Sequence, residues 1–343
     1  MKYDEKEEPL VVTNIMNHIA DSKREAYVLI CETKQAVSNH ITRVWEKHKD
    51  LISQTVTKIL KDKLEVKSDR LYQIEPTQNR YTFCGNYRRP LKVISDLCRK
   101  SIPTTSDGAS EVKGSSGYFF YETQDGYNFL SADTILKSKP VAKYIMTPSK
   151  EASNPKNNFT ISCEPTWKES HDLLKKLRSG SFKTANFYFD LNTRLPEFTE
   201  FSYSESVGKL MKKSNDEEVI PKDFTDARSR IILGVIDRGA MAKDSEGKDL
   251  QTPQDQAKFQ AQSSARYSHL FSQTLQVTVP MNLTLRVGNM LELEFPEINT
   301  EESKGTRNPN SGNYMIVKLA HEFGNPQGDF TGLTLVRDTY KTK

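Results

Sequence analysis

The chain has 343 residues, enough for two or three domains with cores of their own. Its 49 basic residues are nearly balanced by 45 acidic ones, and a net charge of +4 is not the basic field of a dedicated nucleic-acid binder. No apolar run reaches the roughly 18 residues of a membrane span, the acidic start MKYDEKEEPL is no signal peptide, and Cys31, Cys84, Cys98 and Cys163 form no CxxC pair. These features predict free thiols, a protein made in a reducing cytoplasm, and no stable membrane insertion.

In chain order, residues 9–31 read as two strands, PLVVTNIMNHIA and AYVLIC, joined by the turn-like DSKRE. Leu51, Ile52, Val56, Ile59, Leu60 and Leu64 make a stripe at helical spacing, which predicts a helix over about 50–64. LYQIEP and RYTFCGN read as short strands. Pro90 suits a helix start, where its missing N–H is no loss, and Leu91, Ile94, Leu97 and Cys98 follow on that helix. SDGASEVKGSSG reads as a flexible loop over 106–117. GYFFYETQDGYNFLSADTIL, 117–136, reads as a hairpin turning at Gln124-Asp125-Gly126, its aromatics used for packing. The lysine-rich 137–158 reads as a connector.

Beyond it, NFTISC reads as a strand. ESHDLLKKLRSG reads as a helix closed by Gly180 in a left-handed cap. KTANFYFDL and FTEFSY read as strands, and about 205–266 as a polar insertion with a helix start at Thr252-Pro253.

The last third alternates strictly. LQVTV (275–279), LTLRV (283–287), LELEF (291–295), NYMIVKLAHEF (313–323) and TGLTLVRDTY (331–340) predict an antiparallel sheet with one buried and one wet face. Leu283, Leu285, Val287, Leu291, Leu293 and Phe295 form the candidate core, joined by Val317 and Leu319 on the strand that carries His321. A three-residue loop Gly288-Asn289-Met290 would set Val287 opposite Leu291, Leu285 opposite Leu293, Leu283 opposite Phe295 and Arg286 opposite Glu292.

A search for chemistry finds no constellation. His18, His40, His48, His171, His269 and His321 show no HExxH, and there is no GxSxG, P-loop or GxGxxG. Glu292 and Glu294 alternate on one strand and read as solvated charge, not as a glycosidase pair across a cleft. KGTRNPNSG (304–312) is a polar loop with no helix after it to cradle a phosphate. No catalytic residue, metal site or cofactor is expected.

These stretches resemble the baseplate hub proteins of contractile tails: the hub of T-even-type phages, the late-control protein of temperate myophages and the hub part of type VI secretion spikes. The resemblance rests on LQVTVPMNLTLRVGNMLELEFP (275–296) and SGNYMIVKLAHEFGNPQGDFTGLTLVRDTY (311–340), with Gly288-Asn289, Pro296, Gly312-x-Tyr314, His321 and Arg337-Asp338 in the family's places. Upstream, AYVLICETKQAVSNHITRV, NRYTFCGNYRRPLKVISDLCRKS, GYFFYETQDGYNFLSADTIL and SHDLLKKLRSGSFKTANFYFD follow in the family's order.

The resemblance implies a mainly β chain with an α+β insertion and split, tube-like antiparallel β-barrel domains. It implies three parts: 1–48 as the second half of a first barrel, 49–157 as an inserted α/β module, and 158–343 as a second barrel. Family members have most of a first barrel before the position of Pro9, so this chain departs from the pattern there. The family's work is mechanical. A homotrimer with two barrels per subunit makes a pseudo-sixfold ring between a threefold tail spike and a sixfold tail tube. On that reading Gln276, Thr278, Thr284, Arg286, Glu292 and Glu294 are candidates for a channel or interface face. The virion baseplate is the expected location, with assembly in the host cytoplasm and DNA passing through the channel without specific recognition. Two other classes fit less well: a baseplate peptidoglycan hydrolase, and a small-barrel binder of nucleic acid or polysaccharide.

Overall fold

The computed structural model describes residues 9–104, 116–146, 161, 165–169, 172–190, 194–206, 222–236, 254–296, 308, 310–324 and 328–338. Strand outweighs helix, 44% against 27%, which makes the class mainly β with helical insertions.

The first two strands, β1 (Leu10–Ala20) and β2 (Glu25–Thr33), form an antiparallel hairpin. Its turn is closed by Asp21, whose Oδ1 accepts the N–H groups of Lys23 at 2.6 Å and Arg24 at 2.9 Å. Helix α1 (Lys34–Ile41) follows at once, because the Thr33 hydroxyl accepts the Ala36 N–H and caps it. The sequence reading has no helix here; eight residues with two large apolar side chains give too short a period to read.

The next layer contains β3 (Lys47–His48), α2 (Ile52–Leu64), β4 (Leu71–Ile74), β5 (Phe83–Cys84) and α3 (Pro90–Cys98). It continues with β6 (Tyr118–Thr123), β7 (Gly126–Ser131) and α4 (Ala132–Lys137). Strands β4, β7 and β6 form a sheet in that order, β4 parallel to β7. The predicted stripe of α2 supplies Ile52, Val56, Ile59 and Leu60 to a core shared with Val93, Ile94, Leu97, Tyr118 and Phe129. Pro90 stands in the first turn of α3, and the Leu91 N–H finds Asn39 Oδ1 at 2.9 Å.

Two details of the predicted hairpin differ. Thr123 pairs with Gly126, so the loop is the two residues Gln124-Asp125. The segment ADTIL then leaves the strand for α4, because the Ser131 hydroxyl accepts the Thr134 N–H at 3.1 Å. Ser131 also donates from its backbone and its hydroxyl to the Glu75 carboxylate, at 2.7 and 3.1 Å. Ser131→Ala should therefore destabilise the protein by about 1–2 kcal/mol, read as a lowered urea midpoint with unchanged slope.

Strands β8 (Ala142–Ile145) and β9 (Thr166–Glu169) lead to α5 (Leu173–Ser179), which Gly180 ends at φ +72°. Then come β10 (Lys183–Asp190), β11 (Pro196–Ser202), the single turns α6 (Tyr203–Ser206) and α7 (Lys222–Thr225), and β12 (Arg230–Ile236). Helix α8 (Gln254–Leu270) precedes β13 (Gln273–Pro280), β14 (Met290–Glu294), β15 (Gly312–Glu322) and β16 (Phe330–Arg337). The connector and the polar insertion thus each hold a strand. The connector 137–158 contains β8, which pairs in parallel with β14, and the polar insertion contains β12, which pairs in parallel with β10.

The large sheet runs β8-β14-β15-β16-β13-β9. Its core face carries Tyr144, Leu275, Val277, Leu291, Tyr314, Ile316 and Leu335. Among the described residues its ends, β8 and β9, are not paired to each other. The proposed hairpin between LTLRV and LELEF is not formed. Residues 283–284 and 287–288 are turns, and β14 pairs with β15, Leu291 opposite Tyr314. Arg286 therefore does not face Glu292. The reason is local: Asn282 Oδ1 accepts the Thr284 N–H and hydroxyl, and Asn289 Oδ1 accepts the Arg286 N–H. Two asparagine turns consume the groups that a ladder would need.

The predicted loop at 106–117 lies outside the described residues except Ser116 and Gly117, and the predicted strand at 158–163 except Ile161. Thr252-Pro253, Cys163 and His171 also lie outside them, as does most of 304–312.

Candidate docking surfaces

The residues singled out from sequence fall into three settings. Leu285, Leu291, Leu293 and Phe295 lie in the core of the large sheet, with Leu319 packed against it. Val317 packs on a different cluster, formed by Ile135, Leu136, Leu270, Met290, Met315 and Val336 where α4 and α8 meet the sheet. Val287 is half-buried. Leu283 is 53% exposed on its turn and does not belong to the core.

Among the polar candidates, Gln276 and Thr278 alternate with the core residues of β13, and Glu292 and Glu294 with those of β14. The register through β15 and β16 puts all four on the sheet face opposite the core. Lys143 of β8 bridges the two glutamates, at 3.6 Å to Glu292 and 2.5 Å to Glu294. The Glu294 carboxylate holds the Lys143 ammonium above its ordinary range. Thr284 and Arg286 stand apart from this face, on the turns. Arg286 bonds Asp125 of the β6–β7 loop at 2.9 Å and the carbonyls of Leu283 and Leu285. Beside it lies a groove of about 280 Å³ lined by Glu122, Thr123, Leu319 and His321. Burial, and then the Arg286 guanidinium, lower the pKa of His321.

His48 is the other perturbed imidazole. It is 5% exposed, stacks on Phe83 at 5.1 Å, and its Nε2 has no hydrogen-bond partner among the described residues. Burial, then the nearby Lys58, pull its pKa below the ordinary 6.5. In the window below 6.5 the unfolded chain binds more protons than the folded one, so stability falls with acidity there. His48→Phe should flatten that slope, measured as urea midpoints across pH 5–7 (roughly the range where histidine titrates).

Among the described residues, no three His, Cys, Asp or Glu side chains gather to hold a metal ion. No described helix is long and apolar enough to cross a membrane.

Sequence reading missed the most conspicuous surfaces. The β1–β2 ribbon is exposed on both faces. Its register puts Leu10, Val12, Ile15, Tyr27 and Leu29 on one face, and Val11, Met16, Ile19, Val28 and Ile30 on the other. All ten are between 36% and 68% exposed. An isolated two-stranded hairpin is marginal in water, and apolar residues on both faces are the mark of a strand covered on both sides. The signal was present in the runs LVV and AYVLIC, which do not alternate.

The second surface is the sheet β11-β10-β12. One side, bearing Thr184, Asn186 and Tyr188, is buried, with α5 and α8 beside the sheet. The other presents Phe187 between Phe198 and Leu233, and Phe189 beside Val235, with Ile231 at the end. These six are 40–78% exposed. Exposed apolar patches of this extent mark interaction sites.

No protein-family model matches the chain, and no curated protein matches it. Solved structures do. The tail protein from Neisseria meningitidis MC58 aligns over 96% of this chain and 79% of its own, with a TM-score of 0.57 and 11% identity. The prophage tail protein gp18 from Listeria monocytogenes EGD-e aligns over 97% and 77%, with a TM-score of 0.44 and 8% identity. The E. coli c3393 protein, a component of the type VI secretion system, aligns over 97% and 60%, with a TM-score of 0.40 and 11% identity. Only the first likeness is close enough to show common architecture. The chain has the fold of that tail protein.

Proposed function

We propose that this chain is a structural protein of a contractile-tail baseplate, its central hub. The observation that carries the proposal is the fold shared with the Neisseria tail protein over nearly the whole chain. The hub reading places the protein in the virion tail, after assembly in the host cytoplasm. It gives the chain no enzymatic activity.

In this reading three copies form a pseudo-sixfold ring that joins a threefold spike to a sixfold tube, beside other baseplate proteins. Residues 1–48 belong to a first tube-like barrel, 49–157 to the inserted module and 158–343 to a second barrel. Gln276, Thr278, Glu292 and Glu294 share a polar sheet face suited to the wall of a channel through which DNA passes. Thr284 and Arg286 are not part of that wall, since Arg286 is tied to Asp125. The bare apolar surfaces support an assembly role, since each would be a liability on a monomer.

Native mass spectrometry tests the proposal. The expected species is three copies of the 39.2 kDa chain, seen by negative-stain imaging as a ring with a central hole. A monodisperse monomer at all concentrations would sink it, and clearing of a peptidoglycan zymogram would turn the reading toward a hydrolase.

A further inference from the structure

We infer that the β1–β2 ribbon of one copy lies across the bare face of the β11-β10-β12 sheet of a second copy. The inference rests on the proposed self-assembly and names the surfaces that make it. The ribbon's two faces and the sheet's outer face are the large apolar β surfaces left uncovered among the described residues. Among the described elements, α1, the helix that continues from the ribbon, is the one packed against it.

The two surfaces match in kind and size. Strands of 11 and 9 residues form the ribbon, and strands of 7 and 8 form the sheet. At about 3.3 Å per residue, the ribbon is long enough to cross the whole sheet. Face-to-face packing at about 10 Å would interdigitate Ile15 and Leu29 with Phe187, Phe198 and Leu233. One face of the ribbon and the bare face of the sheet together expose on the order of 1,000 Å² of apolar side chain, at the low end for a specific interface.

The ribbon and the sheet are different surfaces, so the contact is head-to-tail. Every copy offers one ribbon and one sheet, and such contacts propagate until a ring closes. A second copy is therefore the occupant that covers the sheet and one face of the ribbon in a single contact. A separate protein on the ribbon would leave the sheet bare.

The head-to-tail logic gives the test. Ile15→Glu with Val28→Glu disables the ribbon, and Leu233→Glu with Phe198→Glu disables the sheet face. All four positions are exposed in the single chain, so each variant should keep its unfolding transition. Native mass spectrometry should show the wild type assembled and each variant monomeric, with assembly weakened at least tenfold. Mixing the two variants one to one should then yield a heterodimer and nothing larger, because one live ribbon meets one live sheet.

Three results would overturn the inference. Variants that assemble like the wild type would place the interface elsewhere and leave the hub reading intact. Monomeric variants whose mixture stays monomeric would refute the pairing of ribbon with sheet. A wild type that never assembles would remove both this inference and the hub reading. Should a variant fail to fold, Cys31 on the ribbon provides a second readout in the unaltered protein. Peptide-resolved alkylation of Cys31 should slow at least tenfold in the assembly relative to the diluted monomer. An equal rate in both would count against the contact.

Discussion

Replacing Arg266 by methionine should lower the unfolding free energy by about 3–5 kcal/mol. Arg266 of α8 meets Asp133 of α4 at 2.5 Å, with side chains only 3% and 9% exposed. Losing the guanidinium takes the ion-pair partner from a carboxylate in a site closed to water, which is the expensive way to break a buried pair. Among the described residues the Arg266 Nε has no hydrogen-bond partner, so the pair is itself incompletely compensated. It follows that Arg266→Met combined with Asp133→Leu should recover most of the loss, a result opposite in sign to simple additivity. Urea unfolding of the two single variants and the double variant measures the coupling. A single Arg266→Met variant within 1 kcal/mol of the wild type would show that the pair does not hold α4 to α8.

Gly126→Ala should be nearly as severe, at about 3 kcal/mol or more. Gly126 closes the β6–β7 turn at φ +138°, a region that side chains rarely enter. A β-carbon there would stand 2.3 Å from the Arg70 carbonyl oxygen and 2.9 Å from its carbon. Both obstacles are backbone, and Arg70 is further fixed by its Nη1 donating to the Gln124 carbonyl at 2.8 Å. No side-chain rotation relieves the overlap, so the backbone at Arg70, just before β4, must move away from β7. Circular dichroism melts should show a large drop in midpoint. Loss of the β6–β7 amide protection in hydrogen exchange would locate the damage.

Much of this architecture was legible in the residues. The α2 stripe, Pro90, Gly180 and the alternation of β13 and β16 each act through local rules, and the chain obeys them. The misreadings share a cause. LTLRV alternates as a strand does, but Asn282 and Asn289 supply side-chain acceptors that make turns cheaper than a ladder. Strands β8 and β12 sit in polar surroundings and gain their partners, β14 and β10, from distant segments that no local window contains. The polar face Gln276, Thr278, Glu292 and Glu294 follows from period two alone. Lys143, which binds its glutamates together, could not be foreseen without that parallel pairing. The apolar ribbon reads as two strands, but its lack of alternation does not say what covers it, because exposure is a property of neighbours and not of sequence.

The order of strands in the large sheet also sets a timetable for synthesis. Its two rims, β8 and β9, leave the ribosome well before α8, whereas the middle of the sheet, β15 and β16, is made last. A nascent chain therefore carries rim strands whose partners do not yet exist, and the hydrophobic centre cannot assemble until β16 has been made. Such a protein depends on something to shelter its half-made sheet, and a ribosome stalled before Gly312 would release an aggregating fragment instead of a smaller folded one.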